Sequence, residues 1–330
     1  MSTHHLLDVR DLEVTFALRT GSLIAINRVS FTVDRGERVG LVGESGAGKS
    51  VTGFAILKLI SKPGFISNGH IFFDGRDLAT LSDEEMRQVR GNGISMIFQD
   101  PMMTLNPVLT IGTQMVETLQ AHRDISRREA EAVALDRLRR VHIPSPEKRL
   151  KQYPHEFSGG MRQRIVIAIA LITDPALIIA DEPTTALDVT IQAEIMDLLL
   201  ELCESERTGL ILITHDLGVV SQVTEKIVVM YAGDIVEMGS TERIIENPRH
   251  PYTKGLIKAL PDQDTPGGRL NQIPGVMPTL MDIPPGCSFH PRCTISEPVC
   301  RSELPRLAAV DDPGHLVACH VVTRKGGRHA

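Results

Sequence analysis

The 330-residue chain has no surplus of positive charge: its net charge is −6 and its sequence pI is near 6.1. Nucleic-acid partners leave a basic footprint, so none is expected. It also lacks an uninterrupted run of about 18 apolar residues, the length that a membrane span needs. No segment is therefore expected to cross a bilayer by itself. The first residues, MSTHHLLDVRDLEV, lack the basic stretch and apolar core of a secretory leader, which predicts a protein kept in the cytosol. Cysteines are few, five in all, and a reducing compartment argues against a disulfide framework. What the chain does have is 42% apolar residues, ample for a core, and length for one large domain or two modest ones.

Residues 6–42 read as β-rich, with alternating or β-branched apolar residues in LLDVRDLEVTF, SLIAINRVSFTV and ERVGLVG. The last of these runs into a glycine-rich loop, and a helix is predicted over Lys49–Ile60. GISMIF is another strand, ending just before Gln99. Residues 107–172 are mostly helical in pattern, and Ser126 with Glu129 forms a capping box ahead of one amphipathic stretch. Strands return at ALIIAD, GLILITH, KIVVMYAG and DIVEMGS. The βαβ alternation predicts an α/β fold with a mostly parallel sheet covered by helices. Cys203 sits in a helical repeat of Ile191, Ile195, Leu198, Leu199 and Leu202 and reads as a small apolar filler. From about Asn247 the chain turns rich in proline and glycine (PRHPYTKG, LPDQDTPGG, IPGVMP, IPPGC). A boundary there divides residues 1–246, including a helical subdomain at about 100–172, from a small appended domain at 247–330.

GESGAGKS at Gly43–Ser50 fits the G-x-x-x-x-G-K-[ST] phosphate loop after a strand and before a helix. Gly43, Gly46 and Gly48 let the backbone curl so that its N–H groups, including those of Glu44, Ser45, Ala47 and Val51, face phosphates. Lys49 supplies positive charge, Ser50 is a candidate Mg²⁺ ligand, and the following helix adds its dipole. Asp181 ends the apolar strand ALIIAD, a position suited to Mg²⁺. Glu182, next along, is the candidate general base for an attacking water. Gln99 and His215 each follow an apolar strand. In a parallel sheet the carboxyl ends of the strands line one ligand crevice, so these residues are expected to converge. Any of them alone has a bland alternative: a strand-end turn, a structural histidine, a loop glutamine. Ser158-Gly159-Gly160 in FSGGM precedes a helix and makes a second anion site. One nucleotide needs only one phosphate loop, and a head-to-tail pair of chains resolves the surplus.

With these motifs in order, residues 6–245 resemble the ATP-binding subunit of an ABC transporter, a P-loop NTPase core with an N-terminal antiparallel β region and a helical signature subdomain. The resemblance makes GESGAGKS the Walker A loop, Gln99 the Q-loop glutamine, FSGGM the signature, LIIADEP the Walker B strand and TALD at Thr185–Asp188 the D-loop. His215 is then the switch histidine. The signature departs from the common LSGGQ at Phe157 and Met161. Phe16 is the candidate for stacking on adenine. It implies ATP and Mg²⁺ as cofactors, Gln99 as a further metal contact, and hydrolysis in a sandwich of two cassettes.

NPRHPYTKGLIKALP and PPGCSFHPRC are similar to the tails of oligopeptide and dipeptide importer ATPases. The last four cysteines, Cys287, Cys293, Cys300 and Cys319, follow C-x5-C-x6-C-x18-C. Four thiolates suit tetrahedral zinc or an iron–sulfur cluster, and free thiols remain a third reading. Members of the importer group with this pattern carry a [4Fe–4S] cluster, which the resemblance puts first. His290 and His320 flank the cysteines. The implied partners are a second cassette (a paralogous subunit or another copy of this chain), two transmembrane permeases and an extracytoplasmic solute-binding protein. The implied location is the cytoplasmic face of the inner membrane. Relatives of the group import nickel chelates, glutathione or sugars, and other ABC ATPases are soluble and act outside transport, so both alternatives stay open.

Overall fold

Alternating apolar residues form strands on the first sheet, continuous apolar runs form the buried strands, and apolar residues recurring every three or four positions form helices. The computed structural model describes residues 5–19, 21–185, 187–260 and 272–326. The LPDQDTPGG stretch from Pro261 on, Ala186 of the TALD motif and the first four residues lie outside them. The strands are β1 (Leu7–Leu18), β2 (Gly21–Val33), β3 (Arg38–Val42), β4 (Gly64–Phe73), β5 (Arg76–Asp77), β6 (Ile94–Ile97), β7 (Leu177–Asp181), β8 (Gly209–Thr214), β9 (Lys226–Tyr231), β10 (Asp234–Ser240), β11 (Ala308–Val310) and β12 (Asp312–Val317). The chain divides into two compact units, one of residues 1–33, 38–79 and 213–330, the other of 34–37 and 80–212.

In the first unit an antiparallel sheet has the order β2-β1-β4-β5. β1 alternates on either side of a bulge: Leu7 and Val9 are buried, then Leu12 and Val14, while Arg10 and Asp11 face out together where the register shifts. The strand at Gly64–Phe73 is not among those the alternation predicts. A second set of strands runs β11-β12-β10-β9-β3. β3 and β9 are parallel, with Val42 opposite Val229, and β10 and β12 add antiparallel partners. Residues beyond 247 thus hydrogen-bond to a strand from before it, through Glu237 opposite Val317. The helix after the glycine-rich loop spans Lys49–Ile56, shorter than predicted. Lys58 takes a left-handed φ of 50°, which ends the helical path although the apolar spacing continues.

Glu237 on β10 is fully buried. Its carboxylate accepts from the backbone N–H groups of Arg249 (2.7 Å) and His250 (2.9 Å) and meets Nε2 of His315 at 2.7 Å. His250 is buried too, and its Nδ1 accepts from Tyr252 N–H at the start of helix Pro251–Lys258. Burial pushes the His250 imidazole down to about 4, against the opposing pull of the Glu237 charge. The Phe289 ring packs beside it. The folded pKa lies below the unfolded one, so the unfolded chain takes up this proton first as pH falls through about 6.5. The His250 contribution to stability is therefore intact above that pH and lost as pH falls towards 4. His250→Asn keeps a capping acceptor without the titration. Urea midpoints at pH 7 and pH 5 should show the parent losing about 2 kcal/mol more than this variant; equal losses would rule out this origin.

The second unit has β6, β7 and the first part of β8 in the order β8-β7-β6. β6 and β7 are parallel, Ile94 opposite Leu177 and Ile97 opposite Ala180. Helices Ile111–Gln120, Arg127–Arg140, Gly159–Leu171 and Val189–Glu206 pack with them. The capping box at Ser126 and Glu129 forms as the sequence predicts. Cys203 is buried on the helix face expected of it. Arg137, buried, pairs with both Asp174 and Glu206.

Candidate nucleotide site

In the first unit β3 delivers the chain into the Gly43–Ser50 loop. Gly48, at φ 103°, is the residue before the helix; a Cβ there would meet Ile26 Cδ1 at 2.6 Å, so only glycine fits both the backbone and the space. Gly43 allows the Met230 carbonyl to approach where a Cβ would come within 2.3 Å of it. Lys49 is buried, and its Nζ donates to the carbonyls of Gly43 (2.8 Å) and Glu44 (3.0 Å). The ammonium is thus folded over the loop, where an arriving phosphate would exchange with those carbonyls. Ser50 follows on the first turn. His215 is exposed just past the end of β8. Phe16 is partly exposed on β1, opposite Gly64, and its ring leaves no room for a side chain there, a Cβ at 64 lying 2.7 Å from Phe16 Cε1.

In the second unit the parallel register explains the next contact. Gln99 lies two residues past Ile97 and Glu182 two past Ala180, so the two side chains emerge together. Gln99 Nε2 donates to Glu182 Oε2 at 2.9 Å, and Thr185 Oγ1 donates to the same oxygen at 2.9 Å. Glu182 holds a left-handed φ of 46°, a conformation that costs a non-glycine residue free energy and marks functional turns. Asp181, one residue earlier, is buried at the end of β7. Asp188 begins helix Val189–Glu206, but its carboxylate makes no capping bond there.

Ser158 caps helix Gly159–Leu171, its Oγ accepting from Met161 N–H at 3.4 Å. Ser158 and Gly159 are exposed; Gly160 is buried against Ile191, where a Cβ would lie 2.9 Å from Cγ2. Phe157, which replaces the usual leucine, is buried with the Arg149 guanidinium 5.5 Å from its ring centre. The substitution is thus absorbed in the core and leaves Ser158 and Gly159 on the surface.

Residues 26–185 match the family model of the ABC transporter, and residues 236–300 that of the oligopeptide/dipeptide transporter C-terminal region. The oligopeptide transport ATP-binding protein OppD of Bacillus subtilis (strain 168) is 50% identical over 313 residues, covering 94% of this chain and 87% of that protein. The chain belongs to the ABC transporter ATP-binding proteins. The dipeptide transport ATP-binding protein DppD of the same organism is 49% identical over 314 residues, covering 95% of this chain and 93% of that protein. Among solved structures, a dimeric ATP-binding cassette in a post-hydrolysis state with ADP and Pi aligns at a TM-score of 0.64 and 27% identity, over 71% of this chain and 98% of the other. This ABC subunit is accordingly an ATPase of the P-loop α/β class. Among the described residues no helix is long and apolar enough to cross a membrane.

Four of the five cysteines of this ABC ATPase lie in the first unit. Cys300 and Cys319 are buried with Val310, Val317 and Val321, and Cys287 packs against them. Cys293 lies within electrostatic reach of Cys300 and Cys319. Burial pushes the Cys287 thiol up to about 11, and those of Cys293 and Cys319 upward as well. Backbone N–H groups face three of the sulfurs: Phe289 at Cys287, Ile295 at Cys293, and Val321 and Val322 at Cys319. His290 Nδ1 meets the Cys287 carbonyl and His320 Nε2 the Glu303 carbonyl, so both rings are engaged by backbone. Among the described residues no group of three or more His, Cys, Asp or Glu side chains is placed to hold a metal ion.

Sequence reasoning missed the residues of the C-terminal region that touch the phosphate loop. Tyr252 Oη accepts from Glu44 N–H at 2.8 Å, Arg292 forks onto the Glu44 carboxylate, and Met277 Cε closes over Gly46, 2.9 Å from where a Cβ would stand. Nothing in their local spacing marks them.

Proposed function

We propose that this chain is the ATP-hydrolysing subunit of an importer of di- or oligopeptides, bound to the cytoplasmic face of the membrane through two permease subunits. The observation that carries the reading is the match of residues 236–300 to the oligopeptide/dipeptide transporter C-terminal region. Relatives named for oligopeptide and dipeptide transport, matched along nearly the whole chain, support it. In this reading Lys49 and the amides of residues 43–51 bind the triphosphate, apart from the N–H groups of Glu44 and Ala47, which donate to Tyr252 Oη and to the Glu44 carbonyl, and Phe16 stacks on adenine. Ser50, Asp181 and Gln99 are the oxygen donors for Mg²⁺, which when bound offsets the charge of the transferring phosphoryl group. Glu182 takes the proton of the attacking water, oriented by Gln99 and Thr185. His215 holds the γ-phosphate side of that water. Ser158–Gly160 and Asp188 serve a second cassette, a paralogue or another copy of this chain. The segment PMMTLNPVLTIG after Gln99 docks on the permease. Solute reaches the permeases on an extracytoplasmic binding protein.

Cys287, Cys293, Cys300 and Cys319 hold a [4Fe–4S] cluster in this reading. The amides facing the sulfurs support it. Such a cluster ties the C-terminal loops together.

The test is reconstitution of the chain with its permeases in vesicles, the binding protein outside. Dipeptide- or oligopeptide-loaded binding protein should raise ATP turnover several-fold. Stimulation by a nickel chelate, glutathione or sugar but by no peptide would replace the substrate assignment. Protein prepared without oxygen should yield iron and acid-labile sulfide in equal amounts; zinc instead would overturn the cluster.

A further inference from the structure

Glu44 is a carboxylate set inside a loop whose task is to bind phosphate anions. Its own charge works against that task. The structure offsets it with one residue. Arg292 Nη1 donates to Glu44 Oε2 at 2.7 Å and Nη2 to Oε1 at 3.1 Å, a two-pronged fork. The Arg292 side chain is 5% exposed, against 32% for Glu44. Its Nε donates to the Pro274 carbonyl at 2.9 Å, and Nη2 also reaches the Ile273 carbonyl at 3.3 Å. The guanidinium lies 5.8 Å from the Tyr231 ring centre and 5.9 Å from that of Phe289. The fork is therefore aimed before any ligand arrives. On the other side, Tyr252 Oη takes the Glu44 N–H, so the residue is fixed through both side chain and backbone. Arg292 itself stands in the short turn His290–Arg292, between Cys287 and Cys293.

We infer that Arg292 is a positioning residue of the nucleotide site, which holds the Glu44 carboxylate away from the phosphates and neutralises it, so that the C-terminal region sets the affinity of the phosphate loop. The inference rests on the reading of Gly43–Ser50 as the loop that binds ATP. Without Arg292, an unpaired carboxylate stands in the loop. A charge-assisted pair of this kind is worth roughly tenfold or more in an equilibrium.

The experiment is titration of the full-length chain with ATP and Mg²⁺ by calorimetry, with turnover in parallel. Arg292→Ala should weaken ATP binding roughly tenfold, as a rise in Kd and KM with a smaller change in kcat. The loss should shrink at high salt, as a charge effect must. Glu44→Gln added to Arg292→Ala should restore most of the affinity, because it removes the charge that was left unpaired. The double variant carries the same arginine loss, so a collapse of the C-terminal region would not be rescued by it. ATP affinity unchanged in Arg292→Ala, or unrestored in the double variant, overturns the inference. Lys49→Ala separates the two levels: if it leaves ATP binding intact, the phosphate-loop reading has failed; if it abolishes binding while Arg292→Ala does not weaken it, the inference alone has failed.

Discussion

Glu182→Gln is expected to stop steady-state ATP hydrolysis, lowering turnover at least about a hundredfold, the low end of what a positioned general base contributes. The change is close to isosteric. Gln99 Nε2 and Thr185 Oγ1 both donate to Glu182 Oε2, and an amide oxygen accepts both bonds as the carboxylate does. The left-handed φ of 46° is no harder for glutamine than for glutamate. What disappears is the capacity to take a proton from water. ATP binding should therefore persist, and the nucleotide should remain uncleaved on the protein. Phosphate release and nucleotide recovered after gel filtration measure the two halves of this statement. Turnover within twofold of the parent would remove Glu182 from the role of base. Gln99→Ala is a weaker lesion by the same logic, since it removes one of two donors that aim the carboxylate and leaves the base itself.

The parts of this site that were legible in the sequence are those carried by apolar strands that stop. ALIIAD and GISMIF are largely apolar runs, and each ends where polar residues begin; the parallel register of β6 and β7 then brings Gln99 and Glu182 together. The phosphate loop was legible for a similar reason, because its glycines answer to backbone geometry and close approach. Other features left no local trace. The left-handed turn at Lys58 ends a helix in a stretch, LKLI, whose apolar spacing would continue it. β12 is spelled DPGHLV, and its proline, glycine and histidine read as a turn. It becomes a strand because its backbone pairs with β10 and because His315 meets the buried Glu237. Arg292 belongs to a proline-punctuated stretch with no period, and its partner Glu44 is far away in the chain. Contacts of this kind are decided by tertiary packing, and single-residue patterns do not encode them.

Gly159→Asp is expected to abolish hydrolysis while sparing both the fold and the binding of ATP to the chain's own phosphate loop. A Cβ at Gly159 would meet nothing nearer than Leu187 Cδ2 at 3.4 Å, an ordinary contact, whereas one at Gly160 would press on Ile191 at 2.9 Å. An acidic residue on the first turn of a helix is favoured by the helix dipole. The substitution therefore has no structural reason to harm an isolated chain. It puts a negative charge on the exposed start of the Ser-Gly-Gly turn, at Ser158 and Gly159, where a second chain's phosphates would have to dock. Loss of donors at such a site costs on the order of a hundredfold or more in rate. Unchanged melting temperature and ATP affinity, with turnover lost, is the expected pattern; unimpaired turnover would mean that this turn faces no nucleotide. The variant also discriminates between the two kinds of partner. If the cassette pairs with itself, each site takes its phosphate loop and Glu182 from one chain and its Ser-Gly-Gly from the other. Mixing Gly159→Asp with Glu182→Gln then rebuilds one intact site in every mixed pair. An equal mixture of two inactive variants should recover up to about a quarter of parental activity, since half the pairs are mixed and each has one working site of two. Recovery requires self-pairing. No recovery, with each variant still able to bind ATP, leaves a paralogous cassette as the partner.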